Sequence, residues 1–342
     1  MPPERVANEE TTRLAPSPLF LPLTPLGCGQ GEPVVVGSAP VQPQVSIVVP
    51  VFGTERYLGR CLSSLTSQTL AAIEIIVVDD GSPGDVAGVV AAAAAGDSRV
   101  RLLALPGNVG TMEARHIGAL AARAPFLAFV DADDEVEPEY AEMLLATAVA
   151  HGADVVECAF SLVDDGAARI VRRSEAGVLD GSAVVDGFLR GRMNNAVWNK
   201  LFRSDLWRRA TAPEVRRVEF AQDLLCVFLV ALQCERYVRI DTSLYRYLPR
   251  DGSVTKAVSP ERVAARLMAL DSVYRTVRDR LAQRSEHIDP VRSLFDREFV
   301  AVTRELLDLS RDEAAIVPGV PPTPRLLGLM GSVAFSALVD AP

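Results

Sequence analysis

The segment FLAFVDADDEVEPEY, residues 126–140, passes from an apolar run into five acidic side chains within seven positions, 131–137. Carboxylates packed this closely repel one another, so the cluster requires a cation or hydrogen-bond donors to offset the cost. An extended chain alternates its side chains, which would put Asp131 and Asp133 on one side. Two hard oxygen donors facing one way fit Mg2+ or Mn2+ bridging to phosphate oxygens, with Asp133 and Asp131 as the ligands. The plainer alternative is an acidic turn opening a helix at Pro138, where carboxylates complement the helix dipole.

A second carboxylate pair, Asp79 and Asp80, lies in VVDDGS. A carboxylate accepts hydrogen bonds from a base N–H or ribose hydroxyls, and an Asp-Gly turn is the alternative reading. In NVGTMEARHIGALAA, Asn108 and Gly110 precede a helix whose N-terminus would face a pyrophosphate, with Arg115 either a phosphate contact or simply solvated. The three histidines, His116, His151 and His287, lack metal-ligand spacing. The chain has no GxSxG elbow, no GxxxxGK[ST] loop and no GxGxxG after its first strand.

The elements that must position these groups follow from hydrophobic period. VSIVVPV from Val45 is a β-branched run of the kind that fills a sheet buried on both faces, and a helix with Thr54 as N-cap follows it. Strands at 73–78 and 100–104, helices to about 95 and over about 109–122, the strand FLAFV and a helix over about 138–150 continue the alternation. Such βαβα order predicts an α/β fold, a mostly parallel open sheet with helices on both faces and ligands outside the carboxyl ends of the strands. Pro50 to Gly53, Asp79 to Ser82 and Asp131 to Glu135 would meet there. A strand over 154–160 follows; VWNKLFRSDLWRR reads as a turn and short helices, QDLLCVFLVALQCE as a buried helix and RYVRIDTSLYRYLP as strand. Amphipathic helices are expected from Ser259 to about Leu309.

Four parts are expected: a flexible proline- and glycine-rich extension over 1–43, a nucleotide-sugar segment over 44–160, an acceptor-side segment over 161–255, and a helical region over 256–342, the sugar-related names resting on the likeness described next. The length of 342 residues, with 49% hydrophobic and 23% charged, suits a globular protein of about two domains. A net charge of -9 argues against nucleic acid as a partner. Five dispersed cysteines read as buried free thiols in a reducing compartment. The acidic N-terminus lacks a signal-peptide pattern and no apolar run is long enough to span a bilayer, so a cytoplasmic location is expected. The apolar stretch 326–339 is a candidate for peripheral membrane contact or self-association.

VSIVVPVFGTERYLGRCLSSLTSQTLAAIEIIVVDDGSPGD followed by NVGTMEARHIGALAARAPFLAFVDADD resembles the nucleotide-sugar domain of family 2 glycosyltransferases, the GT-A fold, with coverage from about 44 to 255. The resemblance implies Pro50, Phe52 and Asp80 facing uracil or another base, with Asp79 beside them. It implies Asp131 at ribose or metal, Asp133 on the divalent cation of the diphosphate, and Asp134 in support. FAQDLLCVFLVAL resembles the segment that carries the family's acidic pair, with Gln222 in the glutamate position and Asp223 as general base. By the same likeness Trp198 would stack on a sugar and Lys200 would reach a phosphate, against core and surface placements as alternatives. Gly53, His116 and Gln222 depart from the family pattern. The implied reaction is an inverting, metal-assisted transfer from a nucleoside-diphosphate sugar to a hydroxyl of a glycan, a lipid-linked acceptor or a small molecule. The rival readings are a sugar nucleotidyltransferase, for which PVFGTER supplies a poor glycine-rich loop, and a nucleotide-sugar-binding protein without turnover, which Gln222 favours.

Overall fold

A computed structural model describes residues 42–164, 167–171, 176–189, 192–211 and 222–250, together with Arg275, Thr276 and Asp279. The expected N-terminal extension and C-terminal helical region therefore lie almost wholly outside the described residues. The alternation expected from the hydrophobic period is present as β1 (Val45–Val51), α1 (Glu55–Thr66), β2 (Ile73–Asp79), α2 (Val86–Gly96), β3 (Val100–Ala104), α3 (Thr111–Ala121) and β4 (Phe126–Phe129). It continues with β5 (Glu135–Val136), α4 (Tyr140–His151), β6 (Val155–Asp164), β7 (Ala167–Val171), β8 (Gly177–Asp180), α5 (Gly181–Leu189), β9 (Lys200–Arg203), α6 (Ser204–Ala210), α7 (Gln222–Ala231) and β10 (Arg236–Tyr247).

The strand order is β3-β2-β1-β4-β9-β6-β10-β5, with β7 beside β6 and β8 beside β10. The first four strands are parallel. Beyond them the sheet is mixed, because β9 runs antiparallel to both β4 and β6 while β10 returns parallel to β6. KLFR is thus a strand, where a turn and short helices were expected. Its Leu201 and Phe202 point into opposite faces of the sheet, a two-residue alternation too short to recognise in a sequence.

Both faces of the sheet are covered, and β1 shows why its run is continuously apolar. Val45, Ile47, Val49 and Val51 pack with α1, α2 and α4, whereas Val48 packs with the layer that includes α3, α6 and α7. In β2, Ile73, Ile75 and Val77 join the first layer, and Ile76 and Val78 the second. α3 lies close to the sheet at Gly118, where an added Cβ would come within 2.4 Å of the Val48 side chain. Thr54 makes no side-chain cap to α1, contrary to expectation, whereas Asp85 caps α2 by accepting from the Gly88 N–H. Register carries the polar strand ends to a common edge, with Val51 opposite Asp79 and Asp79 opposite Ala104. At the other end of these strands Glu74, fully buried, accepts from Ser46 Oγ at 2.6 Å and the Arg123 amide at 2.7 Å, and also pairs with Arg101 and Arg123.

Candidate active site

The acidic segment leaves β4 at the centre of the sheet and reaches β5 at its far edge, so it passes the carboxyl ends of β6 and β10 and the amino end of β9. It crosses as a turn, not as the extended chain expected, since the Asp134 amide donates to the Asp131 carbonyl at 3.0 Å. The turn directs its carboxylates to separate partners. Asp131 Oδ1 accepts from Arg115 at 2.5 Å. Asp133 pairs with Arg250. Glu135 pairs with Arg60 at 2.8 Å and Arg246 at 3.0 Å. Cations from α1, α3, β10 and the chain after β10 therefore offset the repulsion that the sequence predicts.

Asp134 is buried and accepts from Tyr245 Oη at 2.6 Å and the Leu248 amide at 2.8 Å. Burial, reinforced by the charge on Asp131, raises its pKa well above the aspartate range. The Tyr245 hydroxyl also accepts from the Asp131 amide at 3.2 Å, so one phenol ties the turn to β10. Asp134 anchors the turn and presents little surface to a ligand, so its support is given from within the turn, away from the acceptor or phosphate side.

Asp223 lies in the first turn of α7, beside Gln222, which opens the helix. Its Oδ1 accepts from Arg115 at 2.8 Å, so one guanidinium bridges Asp223 and Asp131. Arg115 is 4% exposed, which corrects its reading as a phosphate contact. Burial alone would lower the Arg115 pKa, but the two carboxylates outweigh that and hold the guanidinium charged. The Asp223 pKa moves upward. Burial raises it and the Asp131 charge adds to the rise, with Arg115 and the Val197 N–H opposing. With its side chain still about a third exposed (32%), Asp223 is a carboxylate of enhanced basicity that a ligand can reach.

At the ends of β1 and β2, Pro50 is a buried strand residue and Phe52 is 50% exposed. Asp79 is partly exposed and accepts the Ser82 amide at 2.9 Å. Asp80 is 1% exposed, and its two oxygens accept the amides of Val109 at 2.7 Å and Gly110 at 2.9 Å. It therefore clasps the 107–110 loop to β2, where the likeness implied a face turned to a base. Gly81 packs so tightly on that loop that a Cβ would sit 2.8 Å from the Gly107 backbone, at a φ of +71° that also favours glycine. Gly53 has a φ of +66°, a region tolerated best by glycine and asparagine, which accounts for glycine where the family pattern has asparagine. Phe52, Asn108 and Val109 are among the exposed groups at this edge.

Residues 46–211 match the family described as Glycosyl transferase family 2. The match spans just under half of the chain. The chain is 31% identical over 219 residues to uncharacterized glycosyltransferase EpsJ of Bacillus subtilis, the match covering 63% of each chain. It is 28% identical over 263 residues to the succinoglycan biosynthesis protein ExoO of Rhizobium meliloti, covering 72% of each. The chain thus spans less than two thirds of EpsJ. Among solved structures, S. aureus TarS in complex with UDP-GlcNAc superposes with a TM-score of 0.57 at 18% identity, over 86% of this chain and 81% of that one. The mannosyltransferase PcManGT from Pyrobaculum calidifontis, in complex with GDP-Man and Mn2+, gives 0.53 at 15% identity, over 91% and 85%. The fold is GT-A.

Within this GT-A fold, Asp131, Arg115 and Asp223 come together, with Asp133 and Asp134 on the same turn. Lys200 does not join them at the surface. It is fully buried and donates to Asn194 O, Ala196 O and Asn199 Oδ1, which corrects its reading as a phosphate contact. Trp198 is partly buried, stacked on Tyr245 with centroids 4.4 Å apart and on Tyr247 at 5.8 Å. Sequence reasoning missed Tyr245, Arg250 and Arg60, all of which grip the acidic turn. The cluster YRYLPR, with two tyrosines and two arginines at the end of a strand, was the available signal for Tyr245 and Arg250. Among the described residues no group of three or more His, Cys, Asp or Glu side chains stands ready to hold a metal, and no helix is long and apolar enough to cross a membrane.

Proposed function

We propose that the protein transfers a sugar from a nucleoside-diphosphate sugar, a UDP-sugar, to an acceptor hydroxyl with inversion at the anomeric carbon, Asp223 acting as general base. The observation that carries this reading is the single buried guanidinium of Arg115 joining Asp131, on the acidic turn, to Asp223, on α7. A base of raised proton affinity is thereby set beside a carboxylate suited to the donor. The names of the relatives support glycosyl transfer, and TarS with UDP-GlcNAc supports a UDP-linked donor.

Asp133 and Asp131 offer hard oxygens that already draw a cationic partner each, and two protein carboxylates match the few that Mg2+ sites take when phosphates and water supply the rest. When bound there, Mg2+ or Mn2+ supplies neutralisation of the charge that develops on the departing diphosphate. Asp223 accepts the acceptor proton as its oxygen attacks, while Arg115 fixes the orientation of the carboxylate. Phe52 gives an aromatic face for the base, Asn108 an amide and Asp79 a carboxylate edge for the nucleoside, and Asp80 fixes the loop on which Asn108 stands. Trp198 borders the acceptor side as part of a stack with Tyr245 and Tyr247.

The test is incubation with UDP-sugars, Mn2+ and an acceptor panel, with product anomeric configuration read by NMR. Inversion, and loss of transfer in Asp223→Asn, is the expected result; retention of configuration overturns the mechanism. Gln222, in place of a second carboxylate, favours a reading as a nucleotide-sugar-binding protein. Calorimetric UDP binding without turnover across the whole panel would decide for that.

A further inference from the structure

We propose that Lys200 is a positioning residue for the transfer reaction, its buried ammonium shaping the 194–199 loop that presents the Val197 N–H to Asp223 and the Trp198 ring to Tyr245. The inference rests on the reading of Asp223 as the base. Lys200 opens β9 with no exposed surface. Its Nζ donates to Asn194 O at 2.9 Å, Ala196 O at 2.7 Å and Asn199 Oδ1 at 2.9 Å, and Glu157 stands at 3.4 Å. An ammonium has three donors, and all three end on one loop.

A core position does not call for such a group. The next two residues of β9, Leu201 and Phe202, are apolar and buried, and an ion pair sealed in the interior is seldom more stable than a hydrophobic pair of similar volume. The distinctive effect of the charge is on the loop's shape. From that loop, the Val197 N–H acts on the Asp223 carboxylate, working against the rise in its pKa. Trp198 O accepts from Tyr140 Oη at 3.0 Å, and the Trp198 ring lies 4.4 Å from that of Tyr245, whose hydroxyl holds Asp134. Asn199 Nδ2 closes the far end on Cys158 O at 2.7 Å. Lys200 thus sits behind one loop that faces the base through Val197 and stacks on the tyrosine that holds the acidic turn.

Removing the lysine alone would strand Glu157 in the interior, so the test uses Lys200→Met together with Glu157→Gln beside the single variant. Three quantities are measured on the full chain: kcat and donor KM, UDP affinity with Mn2+, and amide hydrogen exchange. The expected result is a folded double variant with unchanged UDP affinity and donor KM and a kcat lower by about 100-fold, the scale of a 1 Å misplacement. Exchange should quicken at Val197 and Trp198 while β1 and β4 stay protected. Parental kcat and parental exchange in the loop would overturn the proposal, as would exchange that quickens evenly through the sheet, which marks a residue of stability only. If the parent transfers no sugar, the reading of Asp223 falls, and the exchange comparison still decides whether Lys200 shapes the loop.

Discussion

At the residue scale, Asp223 and the acidic turn make opposite demands on the same guanidinium. Asp223→Asn removes the proton acceptor and should lower kcat by about 10²–10⁴-fold while UDP affinity persists, a separation that steady-state kinetics and calorimetry resolve. Burial raises the Asp223 pKa, and a base works only when ionised. The acid limb of kcat/KM should accordingly fall at a pH above the ordinary aspartate value of about 3.9, activity declining as the pH drops through it. Asp133→Asn should instead abolish the divalent-ion dependence of nucleotide binding. The candidates Asp131 and Asp133 were legible through the density of acid after FLAFV, and Asp223 through the likeness of FAQDLLCVFLVAL to the family's segment. The partners of Arg115 and Lys200 were not, because a long cationic side chain reaches groups that local pattern does not specify: Arg115 joins Asp223 across 108 positions.

At the scale of elements, α3 carries Arg115 and is held against the sheet by Gly118, one turn further along. A methyl group there meets Val48 and Val78. Gly118→Ala should cost about 1–3 kcal/mol of stability, the usual range for overpacking, and should weaken activity beyond that by shifting the helix that bears the guanidinium. A denaturant melt and an activity assay on the still-folded variant separate the two effects. The parallel half of the sheet was readable because its strands are four- to seven-residue apolar runs punctuated by turns, as in VSIVVPV and IEIIVVD. Of the later strands, β6 and β10 were read from their sequences, but β7 and β9 were not. β9 holds only two apolar residues between Lys200 and Arg203, and β7 is largely exposed, so neither shows the contrast on which periodicity depends.

At the scale of the whole molecule, the two ends of the parallel strands have different electrostatics. At the amino end, burial works to raise the Glu74 pKa, but Ser46, the Arg123 amide and the two arginines overcome it and the net shift is downward. A carboxylate with a depressed folded pKa stabilises the fold above its unfolded value, about 4.3, and that contribution disappears as the pH falls through the folded value. Glu74→Gln, by breaking a buried pair, should cost on the order of 3 kcal/mol at neutral pH. Its Tm should converge on that of the parent as the solution is made acidic. At the carboxyl end, a ligand that prefers the folded state should raise stability by about 2.7 kcal/mol at a hundredfold excess over Kd, a shift that scanning calorimetry with UDP and Mn2+ would register.

The acidic turn is gripped by Tyr245, the Leu248 amide and Arg250, and the base arrives with Asp223, all of them beyond residue 211, where the family match stops. During synthesis the sheet's first strands leave the ribosome well before these partners exist. A nascent chain arrested at Thr211 would own the parallel half of the sheet around an acidic turn that only Arg60 and Arg115 offset, and the emergence of β10 and the residues after it would supply the rest.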